Sequence, residues 1–200
     1  MGKRSEFERI PKDKYYTWDA RAYPVLFAHL GDDVKTFAEP CAGGGNMIMF
    51  LEDHGLRCVH ASDIEPDEPD GLVAYEGPEI RTQSYETIDS MDFAVADVII
   101  TNPPWGRKTL HPFLEWCRDM GKPAWLLLDS NWAFTKQAQP YLVYCDLIVP
   151  TPRLKWIPDS DHAAKDDTSW YRFQPYACDT IFKNVPIEDA GVESDVLDLI

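Results

Sequence analysis

The feature that most constrains the fold is a glycine turn between a short apolar run and a helical pattern. Residues 34–38 are predicted to form a strand, and the Glu-Pro-Cys-Ala-Gly-Gly-Gly segment at 39–45 is predicted to be a tight turn. The apolar spacing after it predicts a helix over residues 46–54. Glycine permits positive φ and a close approach of the backbone to a ligand. This unit therefore predicts an α/β fold with a binding turn at the end of its first strand.

The rest of the chain alternates in the same way, which is typical of an α/β fold with a mainly parallel sheet. Further strands are predicted at residues 57–62, 79–82, 94–101, 123–128, 142–150 and 179–183. Further helices are predicted at residues 19–30 and 110–120. The polar stretch at 151–174 is too long for a tight connection between the last two strands, so we expect it to be functional.

The composition narrows the class of protein. Hydrophobic residues make up 44% of the 200 residues, which predicts one globular domain with its own core. The five cysteines are an odd number without the close pairs of a metal knuckle or redox site, so we expect no metal. No apolar run reaches the roughly 18 residues of a membrane span. The first residues are also too polar for a signal peptide, so we expect a cytoplasmic protein without a membrane partner.

The formal net charge of −15 is unevenly placed. Residues 62–98 carry eleven acids and one base, and residues 185–200 carry five acids and no base. The second group is predicted to be a solvated acidic tail after a single domain of residues 1–184. Enzymes that act on nucleic acid normally show a basic footprint. Any such footprint must therefore be local in this chain.

An acid follows the second predicted strand, about twenty residues after the glycine turn, as in the dinucleotide-binding sheets. Asp63 stands where a carboxylate holds ribose hydroxyls in such sheets, and Ile64 is placed to pack on an adenine ring. The glycine turn lacks the G-x-G-x-x-G spacing of a pyrophosphate site. Glu39, four residues before the first glycine, suits instead a ligand with a positively charged amine. These residues predict a binding site for a nucleoside that carries a positively charged group.

The most specific segment of the chain follows the strand predicted at 94–101 and consists of Asn102, Pro103, Pro104 and Trp105. The two prolines hold the turn rigid. The Asn102 side-chain oxygen and the Pro103 carbonyl are placed to accept the two N–H bonds of a planar amino group. That arrangement favours a pyramidal nitrogen whose lone pair attacks a methyl carbon, which is electrostatic catalysis without a nucleophilic side chain. Trp105 offers a flat face for stacking the target ring.

These segments resemble the motifs of the amino methyltransferases, the family that includes the DNA adenine-N6 methyltransferases. Residues 39–45 resemble the cofactor motif, Asp63 resembles the ribose-binding acid, and residues 102–105 resemble the catalytic tetrapeptide. Residues 14–18 resemble the segment that contacts the methionine carboxylate. The resemblance covers most of residues 14–184.

A second group of segments resembles the target-base loop of small phage and plasmid members of the family. These segments are residues 152–157 and 168–173, which interleave basic and aromatic side chains. Such interleaving suits a single base flipped out of a strand. Arg107 and Lys108, which follow the tetrapeptide after one glycine, are suited to phosphate contacts.

The resemblance implies a Rossmann-like class I methyltransferase fold with a mainly parallel seven-stranded sheet flanked by helices. It implies S-adenosyl-L-methionine as cofactor. It implies nucleic acid as partner, with DNA the first expectation, and a cytoplasmic location in a bacterial or phage-infected host cell. The residues implied to bind the cofactor are Tyr16, Thr17, Glu39, Pro40, Gly43, Gly45, Asp63, Ile64, Ser84 and Asn102. The residues implied to be catalytic are Asn102, Pro103, Pro104 and Trp105. The residues expected to bind the substrate are Trp105, Arg107, Lys108, Arg153, Lys155, Trp170 and Tyr171.

Two departures from the family pattern leave alternatives open. The family often has an acid after the third strand for the adenine amine of the cofactor, and this chain offers Ser84 there. The chain also has no segment large enough for a separate target-recognition domain, so any sequence specificity must come from residues 151–174. The alternative acceptors are cytosine N4, adenine in RNA and protein glutamine. A protein of another class, an acidic interaction protein that keeps the fold without catalysis, is also compatible with the net charge.

Overall fold

The computed structural model describes residues 16–67, 77–156 and 166–183. These residues form one mixed sheet with the strand order β3-β2-β1-β4-β5-β7-β6-β8. The strands are β1 Thr36–Glu39, β2 Arg57–Asp63, β3 Arg81–Thr82, β4 Val98–Thr101, β5 Ala124–Asp129, β6 Cys145–Pro150, β7 Thr168–Phe173 and β8 Ile181–Phe182. Strand β7 runs antiparallel to β5 and β6, and the other pairs are parallel. The predicted α/β class with a mainly parallel sheet is confirmed.

Helices lie on the connections between the strands. The α-helices are α1 Tyr23–Phe27, α2 Asn46–Asp53, α3 Arg107–Asp119 and α4 Gln139–Leu142, and short 3-10 helices span Ala20–Ala22, Tyr85–Thr87 and Ser130–Phe134. The single helix predicted at 19–30 is wrong in its extent. Pro24 has no N–H to donate to the carbonyl of Ala20, so the first turn is a 3-10 turn that Asp19 caps, and α1 ends at Phe27.

The sheet is covered on both faces, as a mainly parallel sheet requires. Alternate residues of β5 face opposite ways: Trp125 and Leu127 join one apolar cluster, whereas Leu126 and Leu128 join the other. The first cluster includes residues of α1 and α2, and the second includes residues of α3. The two clusters hold the carboxyl ends of the strands in fixed register, which positions the loops described below.

Three sequence expectations for the sheet need correction. The seven-stranded count is wrong because residues 168–173, assigned to a substrate loop within 151–174, form the interior strand β7 between β5 and β6. The strand predicted at 94–101 begins only at Val98, because the chain before it turns. Residues 142–144 precede β6 and do not belong to it.

Some expectations fall outside the described residues. These are the acidic tail at 185–200, the start of the cofactor segment at 14–15 and the middle of the substrate stretch at 157–165. No helix within the described ranges is long and apolar enough to cross a bilayer.

Candidate active site

The candidate site lies where the connections of the sheet change direction. The chain leaves β1 toward β2 on one side and leaves β4 toward β5 on the other, so the carboxyl ends of β1 and β4 flank a crevice. A cleft of about 240 Å³ opens there. It is lined by Tyr16, Thr17, Glu39, Cys41, Ala42, Asn46, Met47 and Asn102. The turn and the tetrapeptide singled out in the sequence are thus brought together.

A second cavity, of about 330 Å³, lies at the opposite end of β5, next to Ala124. Its walls include Arg118 of α3 and Tyr144, which faces Arg118 through a cation–π contact. None of the residues of the glycine turn or the tetrapeptide lines this cavity. Because doubly wound sheets bind ligands at the carboxyl ends of their strands, the cleft between β1 and β4 is the candidate site.

The glycine turn is fixed by the acid at the end of β2. Gly43 and Gly45 have φ values of 54° and 82°, which side chains other than glycine rarely adopt. The Gly43 N–H donates to Oδ2 of Asp63 at 2.9 Å, and the Glu65 N–H donates to Oδ1 at 2.8 Å. Each carboxylate oxygen keeps a further lone pair. Asp63 is half-buried at the end of β2, where those lone pairs are available to a ligand.

Glu39 lines the cleft and has a buried carboxylate oxygen without a hydrogen-bond donor among the described residues. The residue is 2% exposed, and its Oε2 has no hydrogen-bond partner among the described residues. Burial, and then the nearby charge of Asp63, raise the pKa of Glu39 well above its ordinary value. A buried acceptor without a donor is costly in a folded protein. This feature suits a cationic or hydrogen-bond-donating ligand in the cleft.

The segment before α1 crosses the mouth of the cleft. The Tyr16 ring packs so closely on Gly43 that a Cβ atom added there would overlap it. The Tyr16 hydroxyl donates to Asp67, which lies in the loop after β2. Thr17 is buried beside it and lines the cleft. Tyr16 and Thr17, both among the residues expected to contact a cofactor, therefore lie at the cleft.

The tetrapeptide of residues 102–105 is braced by hydrogen bonds to both sides of the Asn102 amide. The Asn102 Nδ2 donates to the Thr17 Oγ1 at 3.2 Å. The Trp105 Nε1 donates to the Asn102 Oδ1 at 3.2 Å and to the Leu127 carbonyl at 3.0 Å. Pro103 is buried and Pro104 is exposed. The amide is thus held at the rim of the cleft.

Part of the expected substrate stretch lies beside the tetrapeptide. The Trp156 ring meets the Trp105 ring edge-on, with centroids 5.4 Å apart. The backbone of this stretch is tied to the segment before α1, because the Lys155 N–H donates to Asp19 at 2.9 Å. Asp19 also accepts from Arg21. Although burial opposes it, hydrogen bonds from Arg21 and the Lys155 N–H lower the pKa of Asp19.

The basic residues around the site differ in their pairing. Arg107 and Lys108 are exposed in the first turn of α3, and Lys155 is exposed after β6. Within the described part of the chain none of these three forms an ion pair. Arg153 instead pairs with Asp167 at 2.9 Å. Its charge is therefore largely compensated.

Two of the expected substrate residues lie where a substrate does not reach. Trp170 and Tyr171 are 0% exposed in β7. The Trp170 Nε1 donates to the Ala22 carbonyl at 2.7 Å, and the Tyr171 hydroxyl donates to the carbonyl of Ser130 at 3.1 Å. Both side chains are core residues, so this part of the substrate expectation is wrong.

The remaining cofactor candidates lie around the same edge of the sheet. Pro40 is buried directly after β1, and Ser84 follows β3, which pairs with the end of β2. Ile64 is 74% exposed beside Asp63. Cys41, Asn46 and Met47 also line the cleft, although they are not among the cofactor residues expected from the sequence. The signal was present, because all three belong to or follow the glycine turn.

Comparison with known proteins agrees with this architecture. No family model matches the chain. A type II methyltransferase, M.VspI of Vibrio sp. (strain 343), is 32% identical over 98 residues. This match covers 42% of the chain, and the chain spans about a quarter, 23%, of that relative's length.

Solved structures give the fold. Pyrococcus horikoshii PH1948, provisionally described as an RNA methyltransferase, has a TM-score of 0.56 at 16% identity, covering 78% of this chain and 83% of that one. The fold is a Rossmann-like methyltransferase fold. Pyrococcus horikoshii TYW2, solved in complex with MeSAdo, has a TM-score of 0.51 at 10% identity, covering 82% and 64%. The 23S rRNA methyltransferase ErmE has a TM-score of 0.50 at 14% identity, covering 82% and 69%. The strand added to the seven expected is β7, which lies between β5 and β6.

Proposed function

We propose that this protein is an S-adenosylmethionine-dependent methyltransferase that acts on the exocyclic N6 amine of adenine in DNA. The observation that carries the proposal is that Glu39 and Asn102 line the same cleft, at the place where the connections of the sheet change direction. Glu39 offers a buried carboxylate oxygen that has no donor among the described residues, and Asn102 offers an amide on a rigid proline turn. A cationic methyl donor and a neutral amine are the two reactants that such a pair would accommodate.

The residues of the cleft fit the methyl donor. Glu39 would accept a hydrogen bond from the methionine ammonium group, which would satisfy its unpartnered Oε2. Asp63 would hold the ribose hydroxyls with the lone pairs left after its two backbone bonds. Ile64 and Ser84 would flank the adenine, and the turn around Gly43 would let the backbone approach closely. When bound, the donor supplies an electrophilic methyl carbon.

The tetrapeptide would orient the acceptor. The Asn102 Oδ1, an amide oxygen with two lone pairs that accepts the Trp105 indole N–H, would also accept one N–H of the target amine. The Pro103 carbonyl would accept the other. Preorganised acceptors of this kind favour the reactive geometry of the nitrogen without reorganisation during the reaction. An amide is not a base, so Asn102 orients the amine and does not take the proton that the nitrogen finally loses.

The acceptor assignment rests on resemblance and on local charge. Asn102–Trp105 resembles the tetrapeptide of DNA adenine-N6 methyltransferases, and the half-buried rings of Trp105 and Trp156 offer aromatic surface for a flipped base. Arg107, Lys108 and Lys155 supply exposed positive charge for phosphate groups near the tetrapeptide. Despite the net charge of −15, the basic footprint would thus be local.

Methylated-nucleoside analysis tests the proposal. The purified protein is incubated with labelled S-adenosylmethionine and, separately, with DNA, RNA and a protein pool. We expect N6-methyladenine in DNA, and we expect Asn102→Ala to lower the rate about a hundredfold or more, because a preorganised acceptor is lost. Asn131→Ala is the matched control, since Asn131 is an exposed asparagine after β5. Detection of N4-methylcytosine, methylated RNA or methylglutamine in place of N6-methyladenine would assign a different acceptor. Absence of transfer to any of the three pools would overturn the enzyme assignment.

A further inference from the structure

The orientation of the Asn102 amide decides whether it helps or hinders an incoming amine. An amine presents N–H donors, so only the Oδ1 atom is a useful partner, and the Nδ2 group would place one donor against another. The two ends of an amide have nearly the same shape. Packing alone therefore discriminates poorly between the productive orientation and its flipped counterpart. Hydrogen-bond partners must make the choice.

The neighbours of Asn102 make this choice chemically. An indole N–H is a donor only, so the atom of Asn102 that faces the Trp105 Nε1 at 3.2 Å must be the oxygen. On the other side the Thr17 Oγ1 accepts from the Nδ2 at 3.2 Å. A flipped amide would set its NH₂ group against the indole N–H. The flip would also deprive the Trp105 donor of one of its two acceptors.

The position of Trp105 is itself fixed by the sheet. Its Nε1 also donates to the Leu127 carbonyl at 3.0 Å. Leu127 is fully buried in β5, next to β4, which carries the tetrapeptide at its end. Thr17 is likewise buried, and its carbonyl accepts from the Tyr23 hydroxyl of α1 at 2.8 Å. Both partners of the amide are therefore anchored to rigid elements.

We propose that Thr17 and the indole N–H of Trp105 are positioning groups that hold the Asn102 Oδ1 toward the acceptor amine. This inference rests on the proposed function, and it gives Thr17 a role different from the cofactor contact expected from the sequence. Thr17 acts through Asn102 on the acceptor and not on the methyl donor. Its loss should slow the transfer step and leave cofactor affinity largely unchanged.

The first test compares three threonine variants in the full-length protein. Thr17→Val keeps the shape and removes the acceptor, whereas Thr17→Ser keeps the hydroxyl. We expect Thr17→Val to lower kcat about tenfold or more, since a misplacement of about 1 Å costs up to about a hundredfold, with KM for nucleic acid within about twofold. Thr17→Ser should restore most of the rate. The matched control is Thr180→Val, which removes a hydroxyl that donates to the Leu142 carbonyl at the far edge of the sheet.

The second test concerns the indole. Trp105→Phe keeps an aromatic ring and removes the N–H, and Trp116→Phe is its control. The Trp116 Nε1 is buried without a partner among the described residues, so its removal breaks no hydrogen bond there. We expect a drop in kcat for Trp105→Phe and little change for Trp116→Phe. Equal effects of the two substitutions would overturn the role given to the indole N–H.

A readout without catalysis separates this inference from the proposed function. The side-chain amide protons of Asn102, assigned by their absence in Asn102→Ala, should shift in NMR spectra of Thr17→Val and exchange faster with solvent. Unchanged Asn102 resonances would overturn the inference even if the enzyme is active. Two further outcomes would also overturn it: Thr17→Val with wild-type kcat, or Thr17→Val with a lost affinity for S-adenosylhomocysteine as its main effect. A wild-type protein inactive on every acceptor overturns the proposed function instead, and the amide resonances still report the geometry.

Discussion

At the scale of single residues, the buried carboxyl group of Glu39 should leave a signature in the pH dependence of stability. Burial and then the charge of Asp63 raise its pKa in the folded protein above the ordinary 4.5. An acid with a raised folded pKa contributes stability that is present below its unfolded pKa and is lost as pH rises toward the folded value. We therefore expect the cofactor-free protein to lose stability from about pH 4.5 upward through this group.

Glu39→Gln removes the titrating proton and keeps the shape, so it should flatten that dependence. Thermal unfolding midpoints of the variant and the wild type should differ more at pH 8 than at pH 5, with the variant the more stable at pH 8. Glu86→Gln, at an exposed position, is the control and should shift the midpoint equally at both pH values. The same Glu39→Gln variant should bind S-adenosylhomocysteine more weakly by calorimetry. A midpoint difference independent of pH would contradict the prediction.

At the scale of elements, the glycine turn and the segment before α1 form one packed unit. Gly43 and Gly55 both have positive φ, 54° and 91°, so alanine strains either backbone by about 1–2 kcal/mol. A Cβ at Gly43 also overlaps the Tyr16 ring, whereas one at Gly55 meets open space. Gly43→Ala should therefore lower the free energy of unfolding in urea further than Gly55→Ala and should also weaken cofactor binding. Equal losses in the two variants would mean that Tyr16 moves aside without cost.

The elements also show where sequence reasoning succeeds and where it stops. The glycine turn and the tetrapeptide were placed correctly because each follows a strand whose apolar run is unambiguous, β1 and β4. Strand β7 was missed because it is covered on both faces, so Trp170 and Tyr171 are both buried and show no alternation. Their basic and polar neighbours then gave the segment the composition of a loop.

Side-chain contacts between distant segments could not be predicted from the sequence, for a different reason. The pairing of Asn102 with Thr17 joins residues 85 positions apart and depends on two side-chain geometries. No residue type or spacing marks such a pair. The resemblance placed both residues at the site, but it did not predict that one would hold the other.

At the scale of the whole molecule, the proposed binding of nucleic acid has to occur despite a net charge of −15. Each phosphate contact steepens the dependence of log affinity on log salt by about 0.9 for duplex DNA. With few unpaired basic residues near the tetrapeptide, we expect a shallow slope. Replacing Arg107 and Lys108 together by alanine should reduce its magnitude by about 2, measured by fluorescence anisotropy between about 50 and 200 mM salt.

A matched pair of charges tests whether this effect is local. Arg118 and Lys122 lie around the cavity at the opposite end of β5, and their double alanine variant changes the net charge by the same amount. It should leave the salt slope nearly unchanged, because distant charges are screened over roughly 10 Å. Similar slopes for both double variants would show that net charge, and not a phosphate contact, governs binding.

The carboxylate of Asp19 has a consequence for protein engineering. It joins two stretches of chain 136 residues apart, since it caps the first helical turn and accepts the N–H of Lys155. Residues 151–156 therefore cannot be exchanged for the corresponding segment of another protein without affecting the segment around Asp19. A graft that alters the backbone at Lys155 would leave a half-buried carboxylate and a main-chain N–H without each other, at a cost of about 1–3 kcal/mol. Because Thr17 lies two residues before Asp19, the disturbance would reach the Asn102 amide. Under the proposed function, altering acceptor preference therefore requires redesign of both stretches together.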